Sequence, residues 1–169
     1  MNTTTNMVRN RGEIGDRHFC PVEIGDSPLC PELLRKGWYI MSKYAWSNDY
    51  SVGNEILDQH HRNLIKLFND AYETIKENKP FTETNKILSE LTTYSIFHFY
   101  EEEKIMKNVG YAELENHKKQ HSEFISKINE FKNNISAENS TLNEEIFLFL
   151  YNWLVNHICI SDKKYVSVI

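Results

Sequence analysis

Cysteine, proline and glycine are all scarce in this chain. The three cysteines (Cys20, Cys30, Cys159) are odd in number and not spaced as a disulfide framework, so they read as thiols of a reducing, cytoplasmic protein. Only four prolines and six glycines occur, and three of those prolines and four of those glycines fall before residue 46. The chain beyond Gly53 is therefore nearly free of helix breakers. No run of 18 or more apolar residues exists, which excludes a membrane span. Residues 1–10 lack the apolar stretch of a secretory leader. A net charge of −5 without a Lys/Arg stripe leaves no footprint for nucleic acid.

What is present suits one ordinary helical domain. The chain has 169 residues, 40% of them hydrophobic and 25% charged, enough to build a core and a solvated surface. Residues 1–45 show no sustained periodicity and read as an irregular N-terminal extension. Arg35-Lys36-Gly37 implies purine-rich codons shortly before Met41, so translation starting at Met41, with residues 1–40 as a translated leader, is a further expectation.

Residues 46–169 form the domain proper, with four helical stretches. In the first, Leu57, Leu64, Ile65, Leu67, Phe68, Ala71, Tyr72 and Ile75 recur at threes and fours, the spacing of one buried face, until Asn78 and Pro80. The second runs from about Thr84 to Met106 and stops before Gly110, and the third spans about Ala112 to Ile135. The fourth opens at Thr141, where Thr141-x-x-Glu144 fits a capping box. Four amphipathic helices of roughly 20 residues, about 30 Å each, predict an all-α, up-down-up-down antiparallel four-helix bundle.

Five of the seven histidines fall on the inward stripes of these helices: His61, His98, His117, His121 and His157. Glu102 and Asp162 join them. The pairs His98/Glu102 and His117/His121 are each four residues apart, only about 40° around a helix, so each pair addresses one sector of the bundle. His61 lies early in the first helix, His98 late in the second, His117 and His121 early in the third, and His157 late in the fourth. In an antiparallel bundle all these positions share one depth. A single inward histidine is more often a hydrogen-bonded core residue than a ligand. Five of them with two carboxylates in an apolar bundle are different, because without a cation their buried polar atoms outnumber their partners. Seven imidazole and carboxylate donors with no thiolate suit two cations bridged by carboxylates, iron before manganese or zinc. Asp162 lies five residues after His157, about 140° away on a regular helix, so an irregular, π-type turn is expected between them.

These motifs resemble the hemerythrin family, and its bacterial members in particular. The stretches that carry the resemblance are Trp46 with Val52-Gly53, Leu57-Asp58-x-x-His61-x-x-Leu64, His98-Phe99-x-x-Glu102-Glu103-x-x-Met106, His117-x-x-x-His121-x-x-Phe124 and Trp153-Leu154-x-x-His157-Ile158-x-x-x-Asp162-Lys163-x-Tyr165. The resemblance implies one iron held by His117, His121 and His157, and a second held by His61 and His98 with one open position. Glu102 and Asp162 would bridge them together with a hydroxo or oxo group. It further implies reversible dioxygen binding for transport, storage or delivery, with no catalytic residues and no enzymatic role. Trp46, Leu64, Phe99, Trp153, Leu154 and Ile158 would form an apolar ligand pocket, although helical spacing makes them equally good core residues. One departure is His60, where the family often has Gln; it either supports a ligand from behind or faces solvent, and the latter is expected, as it is for Glu103. Two other readings stay in view: a di-iron sensor or scavenger of dioxygen or nitric oxide, and a ferritin-like di-iron oxidase. The oxidase is disfavoured because no histidine here follows a Glu by three residues. Nothing in the sequence names a protein partner.

Overall fold

A computed structural model describes residues 45–134 and 140–169. The expected extension, Met41, His18, Cys20, Cys30 and the connection between the third and fourth helices lie outside the described residues, as does the side chain of Thr141 on which the capping box depends. Among the described residues there are four α-helices: α1 (Glu55–Lys76), α2 (Phe81–Asn108), α3 (Leu114–Asn134) and α4 (Ser140–Asn156). They pack in cyclic order, α1 on α2, α2 on α3, α3 on α4 and α4 back on α1, as the amphipathic pattern predicts. Among the described residues there is no strand, and no helix is long and apolar enough to cross a membrane.

Local chemistry sets the helix ends. Asn54 caps α1, its side-chain oxygen accepting from the amides of Ile56 and Leu57 at 3.1 and 3.2 Å. Asn78 closes α1 in the left-handed region (φ 50°), with the Lys79 amide donating to the Thr74 carbonyl and the Asn78 amide to that of Ile75. Gly110 (φ 69°) closes α2 in the same way, Tyr111 reaching back to Met106. Both connections are therefore tight reversals, and α1, α2 and α3 run antiparallel.

After Asn156 the chain leaves the regular helix. Residues His157–Ser161 form a π-helical turn, followed by a short 3-10 turn at Asp162–Lys164. The irregularity expected from the five-residue spacing is present where it was expected, and it brings Asp162 onto the face of His157.

The apolar side chains divide into two clusters. The larger spans the four helices and includes Leu64, Phe68, Ile75, Leu88, Leu91, Ile128 and Ile146. The smaller consists of Val52, Leu57, Met106 and Tyr165 at the end where α1 begins and α2 finishes. Between them lie the histidines, on α1, α2, α3 and the π-helical turn that follows α4.

Candidate metal centre

Each side chain of the layer is delivered by the stripe that its helix buries. His61 sits one turn after Leu57 and one before Leu64; His98 and Glu102 occupy successive turns of α2, as do His117 and His121 on α3. All seven residues singled out above, including His157 and Asp162, are at most 3% exposed. The structure brings them into one layer.

Two sets of donor atoms converge. Ligand atoms of Glu102, His117, His121 and His157 lie within 4.8 Å of one another, and so do those of His61, His98 and Glu102. Glu102 belongs to both sets. Its Oε2 is 3.2 Å from His117 Nε2 and 3.1 Å from His121 Nε2. Asp162 also spans them, with Oδ1 3.2 Å from His157 Nε2 and 3.5 Å from His117 Nε2, while Oδ2 is 3.4 Å from His61 Nε2. His121 Nε2 and His157 Nε2 approach to 2.9 Å.

The layer is short of hydrogen bonds. His61 Nε2, both nitrogens of His98 and both oxygens of Asp162 are buried with no hydrogen-bond partner among the described residues. Stranding so many polar atoms in one place is costly, whereas cations bound between them would satisfy His61 Nε2, one nitrogen of His98 and both oxygens of Asp162. The donor set is imidazole and carboxylate, suited to iron and other borderline divalent ions. On both counts the residues fit two cations.

Protonation shows the same conflict. Burial drives the His98 imidazole down to about 3, so it is neutral and ready to ligate. Burial also lowers His157 well below its ordinary value, helped by the nearby His121. His121 itself is desolvated, but its hydrogen bonds to Glu102 and Glu103 outweigh that and hold it up at about 9. Burial raises Asp162 to about 6, and the charge of Glu102 adds to the effect.

Around the layer lie aromatic and apolar walls. Phe99 stacks on His121 (3.8 Å between centroids, 5° between planes), and Trp153 stacks on His157 (4.2 Å, 15°). Leu64, Leu154 and Ile158 are at most 1% exposed within the larger cluster. Trp46 stands further out. Its ring meets Tyr50 at 6.0 Å and carries the Arg62 guanidinium at 4.1 Å, and the Tyr50 carbonyl in turn accepts from His61 Nδ1. A cavity of about 200 Å³ lined by Phe124, Phe149, Trp153, His157 and Ser161 opens beside the layer.

Two sequence expectations need correction. Glu103 does not face outward: its Oε1 accepts from His121 Nδ1 at 2.7 Å. His60 does not simply face solvent either. It is half-buried and leans across α1 onto α2, against Tyr94, Phe97 and His98. Each residue immediately adjoins a layer residue, about 100° off its direction, and that flank meets the next helix rather than water. Tyr165 was not singled out for the site. Its hydroxyl donates to Glu102 Oε1 at 2.5 Å from 63 residues away, and it is fully buried. The sequence signals for it are its place at the end of the Asp162-Lys163-x-Tyr165 stretch and a hydrogen-bonding aromatic three residues past Asp162.

Comparison with known proteins agrees with this architecture. The Hemerythrin HHE cation binding domain family matches residues 52–169. The chain is 31% identical over 128 residues to a protein named Bacteriohemerythrin from Clostridium acetobutylicum, covering 73% of this chain and 99% of that one. It is 32% identical over 126 residues to Myohemerythrin of Theromyzon tessulatum, covering 75% and 93%. In fold it is similar to the crystal structure of wild-type hemerythrin, with a TM-score of 0.65 at 24% identity over 75% of this chain and 98% of that one.

Proposed function

Because the chain belongs to the hemerythrin family, we propose that it binds dioxygen reversibly at a non-haem di-iron centre. The observation that carries this reading is the sharing of two carboxylates between two histidine sets: Glu102 belongs to both, and the two oxygens of Asp162 face His157 with His117 and His61. His117, His121 and His157 would hold one iron, and His61 and His98 the other, with Glu102 and Asp162 between them. The set with fewer imidazoles leaves room for an incoming ligand. When bound, a pair of ferrous ions supplies the two electrons that dioxygen takes on binding and returns on release.

The polypeptide contributes position and exclusion. Glu103 holds His121 by Nδ1, the Tyr50 carbonyl holds His61 by Nδ1, and Tyr165 holds Glu102, so three donors keep their orientation before any ligand arrives. Phe99, Trp153, Leu64, Leu154 and Ile158 surround the layer with groups that neither donate protons nor retain water. A reduced form of dioxygen is lost when protons and water reach it, so dry walls favour release as the gas. Five imidazoles against two carboxylates favour the ferrous state, which suits a carrier better than an oxidase.

The test is an anaerobic sample loaded with Fe(II), exposed to air and then purged with argon. A visible absorption band that rises on aeration and disappears on purging supports a carrier. Steady consumption of a reductant, with no band that purging reverses, overturns that role in favour of oxidase chemistry.

A further inference from the structure

His98 poses a problem that the metal alone does not solve. The ring is fully buried, and neither nitrogen has a hydrogen-bond partner among the described residues. A cation takes one nitrogen of an imidazole, and the other remains to be satisfied. In His61 and His121 the outer atom is Nδ1, and each has an acceptor: the Tyr50 carbonyl at 3.2 Å and Glu103 Oε1 at 2.7 Å.

The ring neighbours of His98 are His60, His61 and Phe99. Phe99 has no acceptor atom. Neither nitrogen of His61 is free to accept from His98: Nδ1 donates to the Tyr50 carbonyl, and Nε2 faces Asp162 at 3.4 Å, on the side where a cation would take it. His60 differs. Its Nδ1 is itself buried and has no hydrogen-bond partner among the described residues, and its ring stands perpendicular to that of His98 with centroids 5.7 Å apart. Two imidazoles sharing a direct N–H···N bond have centroids about 5 Å apart, so a small rotation of either ring, or one bridging water, joins the two orphans. His60 is seated for this, with Tyr94 and Phe97 of α2 flanking its ring at 6.2 and 5.0 Å.

We propose that His60 is the positioning residue of His98: its Nδ1 accepts the hydrogen bond of the outer His98 nitrogen and so fixes the tautomer and the ring angle at which His98 offers its inner nitrogen to iron. The proposal rests on the di-iron reading above. A partner of this kind keeps the inner nitrogen unprotonated and more basic, and losing it weakens metal binding by about 10- to 100-fold. The effect falls on the His61/His98 position, not on the iron held by His117, His121 and His157.

The test compares the full-length chain with His60→Leu and His60→Gln, each loaded anaerobically with Fe(II) and challenged with a chelator. Nitrogen-15 spectra of the imidazoles are recorded before loading. Wild type and His60→Gln, whose amide carbonyl also accepts, are expected to retain two irons and to show one His98 tautomer. His60→Leu is expected to release one iron about 10- to 100-fold more readily, keep the other, and show mixed His98 tautomers without iron. Equal retention by the Leu and wild-type chains, with the same tautomer, overturns the role of His60 while leaving the di-iron reading intact. A wild-type chain that retains fewer than two irons overturns both. If His60→Leu does not fold, the Gln variant decides: loss of the second iron despite a native fold refutes the hydrogen-bond account.

Discussion

On one side of the histidine layer, eighteen buried apolar residues drawn from α1 to α4 and the turns flanking them pack into a single cluster. On the other side there are four, Val52, Leu57, Met106 and Tyr165. That small end is held instead by polar ties. Asp58 accepts from the Ser51 hydroxyl at 2.5 Å and the Val52 amide at 2.7 Å, the Lys163 ammonium donates to the Ser51 carbonyl, and Tyr165 donates to Glu102. The large end has the burial to stand by itself. The small end is closed over the layer by hydrogen bonds, one of which ends on the layer residue Glu102 and another of which starts from Lys163, next to Asp162. Stability and cation binding are thus separable at one end and coupled at the other.

Glu102→Ala should have the largest effect, because this carboxylate belongs to both donor sets. Metal analysis is expected to fall from two irons per chain to one or none while far-ultraviolet circular dichroism stays helical. Two retained irons with unchanged spectra would count against the assignment. At the large end, Leu88→Ala removes a side chain that is 0% exposed. It should cost about 2–5 kcal/mol in denaturant unfolding with iron stoichiometry unchanged. If metal content fell in step with stability, the two ends would not be separable.

A pH series sharpens the contrast. His121 is held up at about 9, so below that value a cation must displace its proton. Iron affinity should therefore rise by about tenfold per unit between pH 7 and 9. The metal-free fold should move the other way. A histidine raised above its unfolded value contributes stability that is fully present below about 6.5 and is lost as pH rises through about 9. Parallel trends in the two measurements would contradict this coupling.

Tyr165→Phe keeps the ring and loses the bond to a charged carboxylate, an expected cost of about 1.5–3 kcal/mol. Hydrogen exchange should accelerate at residues 50–53 and 162–169 but not near Leu88. Asn54→Ala, at the cap of α1, is the smallest change at about 1 kcal/mol by thermal or chemical unfolding.

The bundle was legible before any coordinates. Periods of three and four mark the buried faces, Asn78 and Gly110 mark the turns, and both signals are local, complete within a turn or two of helix. The convergence of the histidines followed from arithmetic, since in an antiparallel bundle distance from a helix end is depth. Even the π turn was announced by the five-residue spacing of His157 and Asp162. The flanks were not legible. Whether His60 and Glu103 meet water or a neighbour depends on which helix lies to which side, and the period of one helix carries no information about that.

The order of residues therefore settled the elements, their faces and the level at which the donors meet, because backbone geometry sets spacing along and around each helix. Which atoms face one another was left to the packing of the helices: Glu103 on His121, Tyr165 on Glu102 across 63 residues, and His60 against the ring of His98. These contacts depend on the lateral arrangement of the helices, a property of the packed assembly rather than of any stretch of chain.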